Sequence, residues 1–389
     1  MTKDIKYIGF FDVPSMNTNR VSSPAAVNKM NYICDAINNA GFNVLVISPS
    51  WRDDTKVGEV IFSKNEFSVH KAKKVIFCPT FRTMNKLMLK LKVVYSLLWL
   101  FFFMLLKIKK NEKVLVYHSP WLALPVLLAK KLKKFQLILE VEEIYGDVSS
   151  LHSYFDRLED KIIRCADGYL LATDFLVNRV DQGKPNVIIY GSYERIERKS
   201  SPPDDGKIHL VYAGIIDSEK AGAFNAIESA MYLSDLYRMH IIGFGEVEKL
   251  LKRIEEINND RGAGCKIVFD GSKSGDEFIE YCQTCHIGLS TQKMSGKYLD
   301  TSFPSKVLSY LSMGLCVVSG KIHCVEKSKI GHLLKYYTED NPEQIATAIK
   351  ETNLNLSVSS FQVISDLNDN FINEIILIFN DDQLLGNPR

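Results

Sequence analysis

Two successive arrays of short apolar runs, each run separated from the next by a helical stretch, limit what this chain can fold into more than any other feature. Tyr7 to Phe11, Asn43 to Ile47, Val75 to Cys78, Lys113 to Tyr117, Gln136 to Val141, Tyr169 to Ala172 and Val187 to Tyr190 read as strands. Residues 21–40, 87–106, 122–132 and 151–165 carry helical patterns between them. Strands separated by helices argue for a parallel sheet with crossovers. The rhythm stops at residues 194–207, ERIERKSSPPDDGK, which are charged, rich in Ser and Pro, and lack an apolar period. It then restarts. Leu210 to Ala213, His240 to Ile242, Ile267 to Phe269, Ile287 to Leu289 and Cys316 to Val318 read as strands, with helices at 223–233, 247–257, 276–285 and 305–313. The expected organisation is a domain over 1–193, a linker over 194–207, a second domain over 208–358, and a closing segment 359–389 whose helix returns to the first domain. A chain of 389 residues is long enough for two such cores.

Composition excludes several classes. With 46% hydrophobic and 24% charged residues the chain is globular rather than disordered. The N-terminus, MTKDIKYIGFF, has no apolar h-region and enters a strand directly, so no signal peptide is expected. Eight scattered cysteines in mostly apolar surroundings suit buried thiols in a reducing cytoplasm. CQTCH (Cys282 to His286) matches a haem-attachment pattern but falls across a helix end and a strand start, so it is read as structural. The net charge of +2 hides an imbalance: residues 71–134 hold 15 Lys or Arg against Glu112 alone, +14, which leaves −12 on the rest.

The chemistry points to the second half. Residues 286–320 hold a strand, a polar loop with Gly296, and Thr301 and Ser302 as N-cap candidates. Pro304 follows at the first helical position, with Ser305 and Lys306 in the first turn, an apolar stripe, and Gly314 as the stop. Free N–H groups, a hydroxyl and a lysine at a helix start make an anion site; an ordinary strand–loop–helix unit with a chance lysine is the competing reading. Upstream, HLVYAGIIDSEKAGAF places Gly214 after a strand and Lys220 before a helix, a phosphate-approach design or a plain βα turn. GFGE (Gly243 to Glu246) fails as a dinucleotide fingerprint, because Glu248 occupies the third glycine's place. FDGS (Phe269 to Ser272) is a further turn at a strand's C-terminal end, where open α/β sheets bind ligands.

In the first half, LILEVEEIYGD brings Glu142 and Glu143 to a strand's C-terminal edge, where a carboxylate acts as a general base or sits in a solvated turn. His118, after VLVYH, suits proton transfer or a satisfied strand end. The run 93–106, VVYSLLWLFFFMLL, is 14 residues, short of the ~20 a span needs. Ringed by Lys86, Lys90, Lys92, Lys107, Lys109 and Lys110, with a second lysine cluster at 130–134, it suits shallow insertion into an anionic leaflet through Trp99 and Phe102. A buried core helix is the alternative. No nucleic-acid motif accompanies the basic segment, and no metal cluster is legible.

The run TSFPSKVLSYLSMGLCVV resembles the donor-binding motif of GT-B nucleotide-sugar glycosyltransferases, most closely family-four-like transferases of bacterial polysaccharide and glycoconjugate assembly. The resemblance covers the chain in outline and is specific in its C-terminal half. It implies an α/β fold of two Rossmann-like domains facing across a cleft. It also implies a metal-independent, hexosyltransferase-like enzyme that moves a sugar from a nucleotide-diphosphate donor, a UDP-sugar above others, to a saccharide or lipid-linked acceptor. No cofactor is expected, and the enzyme would be peripheral to the inner face of the cytoplasmic membrane. Carried over by position, the donor would meet Gly214, Lys220, Gly243, Gly245, Asp270, Gly271, Thr301, Phe303, Pro304, Ser305, Lys306 and Ser309. Asp12 and residues 15–23 lie where the family's sugars are often touched. The chain departs from the pattern at Ile215, where an arginine is usual, and at Thr301 and Ser309, where glutamates are usual; Asp300 is the nearest carboxylate. Two other classes stay open: a non-catalytic GT-B module that binds a partner transferase or glycan, and a nucleotide-sugar epimerase.

Overall fold

The computed structural model describes residues 4–52 except 17, 66–68, 73–148 except 82 and 84, 153–260, 264–295, 299 and 301–380. The chain divides into two compact units, Met1–Ser192 with Asp369–Arg389, and Tyr193–Asn368.

The first unit runs β1 (Asp4–Ile8), α1 (Pro24–Asn39), β2 (Asn43–Ser48), β3 (Glu66–Ser68), β4 (Lys73–Phe77), α2 (Lys86–Lys107), β5 (Lys113–Tyr117), α3 (Pro120–Lys133), β6 (Gln136–Val141), α4 (Tyr145–Val148), α5 (Ser153–Cys165), β7 (Gly168–Leu171) and β8 (Asn186–Ile188). The strands pair in the order β3-β4-β2-β1-β5-β6-β7-β8, all parallel except β3, which runs antiparallel to β4. Chain order reverses between β1 and β5, so the crevice beyond their C-terminal ends is this sheet's topological switch point.

The second unit runs β9 (Ile208–Ile216), α6 (Gly222–Ser229), β10 (Tyr237–Gly245), α7 (Val247–Asp260), β11 (Lys266–Phe269), α8 (Gly275–Gln283), β12 (Ile287–Ser290), α9 (Ser305–Ser312), β13 (Cys316–Gly320), α10 (His323–Glu326), β14 (Leu334–Tyr337), α11 (Pro342–Lys350) and α12 (Leu356–Asn380). All six strands are parallel in the order β11-β10-β9-β12-β13-β14, with the switch point between β9 and β12. Residues of α12 from Asp369 onward group with the first unit, where the Phe371 ring lies 5.7 Å from that of Tyr32.

β14 and α11 are among the elements not named from the sequence. β14, LKYY, is a four-residue edge strand without alternation. α11 did carry a signal: Asn341 caps it by accepting the Glu343 N–H at 2.8 Å, and Pro342 opens it.

Residues 194–207 form no helix or strand, as their composition predicts, but they are not loose. Buried Gln283 accepts the N–H groups of Lys199 (2.8 Å) and Ser200 (3.3 Å) and donates to the Glu197 carbonyl (2.9 Å). Ile196 N–H donates to the Ser312 carbonyl at 3.0 Å. The segment is thus hydrogen-bonded to the second unit.

Candidate functional site

The site is built at the second unit's switch point. β9 and β10 stay in register to their tips, with Gly243 opposite Gly214, Phe244 opposite Ile215 and Gly245 opposite Ile216. Gly243 has φ 153°, and a Cβ there would lie 1.9 Å from the Gly214 carbonyl oxygen. Only glycine permits that backbone approach. Gly214 has φ 148°, and a Cβ on it would meet Lys306 Cε at 2.5 Å. Glycine therefore makes room for the lysine. The Gly271 carbonyl accepts the Gly243 N–H at 2.9 Å, which ties the turn after β11 to the same tip.

β9 and β12 pair only at Leu210 and Val211, then diverge. The Tyr310 hydroxyl fills the gap and accepts the Ala213 N–H at 2.9 Å. Gly288 lies against the Tyr310 ring, and its Cβ would stand 2.3 Å from Cγ. Buried Val307, Leu308 and Leu311 complete the anchorage of α9. Each contributes roughly 1.5–3 kcal/mol, which matters because so short a helix has little stability of its own. The first helical residue is Ser305, with Pro304 as N-cap and no side-chain cap. The expectation of Pro304 at the first helical position, capped by Thr301 or Ser302, is corrected by one residue. Thr301, Phe303 and Pro304 are buried beneath the helix start, Ser305 is exposed, and Asp300 and Gly296 lie outside the described residues.

Lys306 is the central group. Nζ donates to the Tyr212 hydroxyl at 2.7 Å and stands 3.9 Å from that ring's centroid. Tyr212 in turn donates to the Ile215 carbonyl at 3.1 Å. No carboxylate among the described residues pairs with the ammonium. Burial, and then the nearby charge of Lys220, lower its pKa to about 8, while Asp217 pulls it back. Lys220 is exposed, and its N–H donates to Asp217 Oδ1 at 2.6 Å. A half-buried, desolvated ammonium with a second cation nearby is costly unless an anion joins them. Ile215 and Phe244, side by side on the two tips, are 57% and 59% exposed. Ser309 donates to the Ser305 carbonyl at 3.0 Å, so its hydroxyl is turned onto its own helix. Asp270 accepts from the Tyr281 hydroxyl and faces His240 Nδ1 at 3.1 Å.

The first unit's candidates are engaged otherwise. Half-buried Glu142 pairs with Lys29 at 2.6 Å. The half-buried Glu143 presents its carbonyl to His118 Nδ1 at 3.2 Å. His118 is fully buried, and burial lowers its pKa to about 4. Buried Asp12 accepts from the Thr18 hydroxyl and from Arg20 N–H (3.1 Å), which organises the loop after β1. A residue missed in the sequence is Glu140, buried in β6, where it accepts from the Tyr7 hydroxyl; burial and Glu142 hold its pKa well above the ordinary range.

The helix α2 is 22 residues, long and apolar enough to cross a membrane by length and composition, and so longer than the 14-residue run implied. Its buried stripe is Lys92, Ser96, Leu100 and Met104, so two polar residues face in beside two apolar ones while several large apolar residues face out. Leu87, Leu91, Leu98, Phe102 and Leu106 are exposed, as are Trp121, Leu124, Leu128 and Leu132 of α3. Lys107, Lys109 and Lys110 are exposed beside them. Trp99 is a correction: it is half-buried, packs against the core, and lies 5.3 Å from the Phe103 ring. The outward tryptophan is Trp121.

No protein-family model matches this sequence, and no curated protein does. Solved structures do match along the whole chain. They include α,α-trehalose-6-phosphate synthase of Burkholderia multivorans, with a TM-score of 0.63 at 11% identity over 100% of both chains. HepE of Anabaena in complex with UDP and glucose gives 0.59 at 11% identity, over 98% of this chain and 99% of that one. A glycosyltransferase of Rickettsia africae gives 0.59 at 12% identity over 100% of both. At such identities the likeness shows the fold: an α/β protein of two Rossmann-like domains on the GT-B plan.

Proposed function

We propose that this protein is a glycosyltransferase that takes a sugar from a nucleotide diphosphate, UDP before others, and passes it to an acceptor hydroxyl. The observation that carries the reading is Lys306, a half-buried lysine whose ammonium is paired with no carboxylate among the described residues, held over Gly214 at the sheet's switch point with the charge of Lys220 nearby. The N–H groups of Ser305 and Lys306 have no intrahelical acceptor and are available to the same anion. Together these groups stabilise the charge that develops on a departing diphosphate. The exposed faces of Phe244 and Ile215 suit the planar base of the nucleotide. That UDP is seen bound to a protein of the same fold supports this choice.

The acceptor we propose is a saccharide on a lipid carrier, met at the inner face of the membrane. The outward apolar face of α2 and α3, edged by lysines in a segment of net charge +14, supports it. Replacing Phe102 and Trp121 with Ser should cut sedimentation with anionic vesicles several-fold; unaltered sedimentation of a folded variant would end that part of the proposal.

One observation favours a second reading. With Thr301 buried and the Ser309 hydroxyl turned inward, neither replaces the usual carboxylates, as a non-catalytic nucleotide-binding module would allow. A turnover screen of UDP-, GDP-, TDP- and CMP-sugars with lipid-linked and free saccharides separates the two. Transfer supports the enzyme, and nucleotide binding without transfer or hydrolysis supports the module.

A further inference from the structure

Three histidines of the second unit stack: His209 of β9, His240 of β10 and His286 just before β12. The His209 ring lies 5.2 Å from that of His240 at 18°, and 6.0 Å from that of His286 at 25°. The polar contacts run in a line. Asp205 Oδ1 is 3.2 Å from His209 Nε2, His209 Nδ1 is 3.0 Å from His240 Nε2, and His240 Nδ1 is 3.1 Å from Asp270 Oδ2.

Each contact needs one proton. A carboxylate has none to give, so the outer contacts require N–H at His209 Nε2 and His240 Nδ1, and the central contact requires one more. Two neutral imidazoles carry one proton too few for the line. We infer that His209 and His240 bind a single shared proton between Asp205 and Asp270, and that this proton positions Asp270 and the turn it begins.

Without the proton one carboxylate must let go. The Tyr281 hydroxyl lies 2.8 Å from His240 Nδ1 and also donates to Asp270. It is placed to turn onto the bare nitrogen, which strips Asp270 of both donors. Asp270 N–H donates to the Ile241 carbonyl at 2.9 Å, and the adjoining Gly271 carbonyl holds the Gly243 N–H. The state of the histidine pair is thereby coupled to the glycine tip beside Lys306.

The surroundings set the direction. Burial lowers the His240 pKa from its ordinary value, Asp270 draws it back up, and Arg238 on the same strand opposes a further charge. His286 accepts the His209 N–H on Nδ1 at 3.0 Å; burial, His209 and Arg198 of the pinned segment keep its pKa low. Lys207 N–H holds Asp205 Oδ1 at 3.0 Å. Lys273 stands 4.8 Å from the Tyr281 ring centroid and pairs with Glu277 at 2.8 Å. The thiols of Cys282 and Cys285 are pushed up by burial, the first to about 12, and stay neutral. The surroundings of His240 thus oppose the added proton, and the midpoint of its uptake belongs to the pair rather than to either ring.

The consequence for a donor nucleotide rests on the proposed function; the proton count does not. The test is imidazole nitrogen NMR of the full chain from about pH 5 to 8, with the Gly243 amide followed alongside. His209 and His240 should titrate in one common step that takes up one proton, and the Gly243 amide should move with it. Asp205→Asn, at an exposed position, supplies an N–H that completes the line for a neutral pair. The step should then move down by about one pH unit, a tenfold weaker proton affinity. Independent titrations, an unchanged midpoint in D205N, or a silent Gly243 amide would overturn the inference. A chain that shows the step yet binds no nucleotide would instead remove the donor reading and leave the device standing.

Discussion

The two sheets share a strand plan, and their switch points are used in opposite ways. At β1 and β5 the charged groups are largely engaged within the protein: Asp12 organises its loop, Glu142 holds Lys29, and burial favours the neutral form of His118, although His118 Nε2 and one oxygen each of Glu140 and Glu142 lack a hydrogen-bond partner among the described residues. At β9 and β12 the chain leaves an ammonium paired with no carboxylate among the described residues, a second lysine exposed, and two large apolar side chains uncovered. An ammonium desolvated without a paired carboxylate gains most from an incoming anion. The contrast supports the second unit as the side of the proposed diphosphate.

The comparison breaks first at the glycine tip. Gly243→Val should cost roughly 3–5 kcal/mol, because its Cβ would have to part β9 from β10, and nucleotide binding should vanish with it. Gly271→Ala, at φ 74° with open space around it, should cost only about 1–2 kcal/mol. Urea unfolding of both variants checks the ordering, and equal losses would mean that the tip is not the tight point.

The first unit's side of the contrast is sharpened by pH. The folded-state pKa of His118, about 4, lies below its unfolded value of 6.5. Its neutral form is favoured in the folded state, so the stability it contributes is whole above pH 6.5 and lost as pH falls towards 4. The loss is roughly 3 kcal/mol over that window, and His118→Gln should remove most of that slope. An unchanged slope in H118Q would place the acid sensitivity elsewhere. A smaller effect is expected at Phe244. F244A should weaken UDP about tenfold and leave inorganic pyrophosphate unaffected, since base stacking is worth ~1–3 kcal/mol. Equal weakening of both ligands would mean that the ring supports the turn rather than the base.

Much of this was legible in advance. The strand–helix rhythm, the 305–312 helix and the lysine in its first turn follow from patterning and caps. What was not legible depends on register. Tyr212 and Tyr310 read as ordinary apolar positions until β9 is set beside β12 and α9 is laid across the gap. His209, His240 and His286 lie 31 and 46 residues apart in the sequence and become a stack only once three strands are aligned. Trp99 is expected outward but packs inward, because the apolar run of α2 shows no clear polar side. Lys92 and Ser96 join Leu100 and Met104 on the inward face, against the usual rule that polar residues point out.

The central claim is that a diphosphate binds against the Lys306 ammonium. Calorimetry of UDP in buffers of different ionisation enthalpy tests it most directly. With a free-protein pKa of about 8, raised by the bound anion, binding at pH 8 should take up about half a proton. At pH near 7 it should take up almost none from this group, and affinity should fall about tenfold per unit above pH 8. Lys306→Met should abolish the uptake and weaken UDP by about 30–100-fold. UDP binding in the wild type without proton uptake at pH 8, or with affinity unchanged in K306M, would contradict the account.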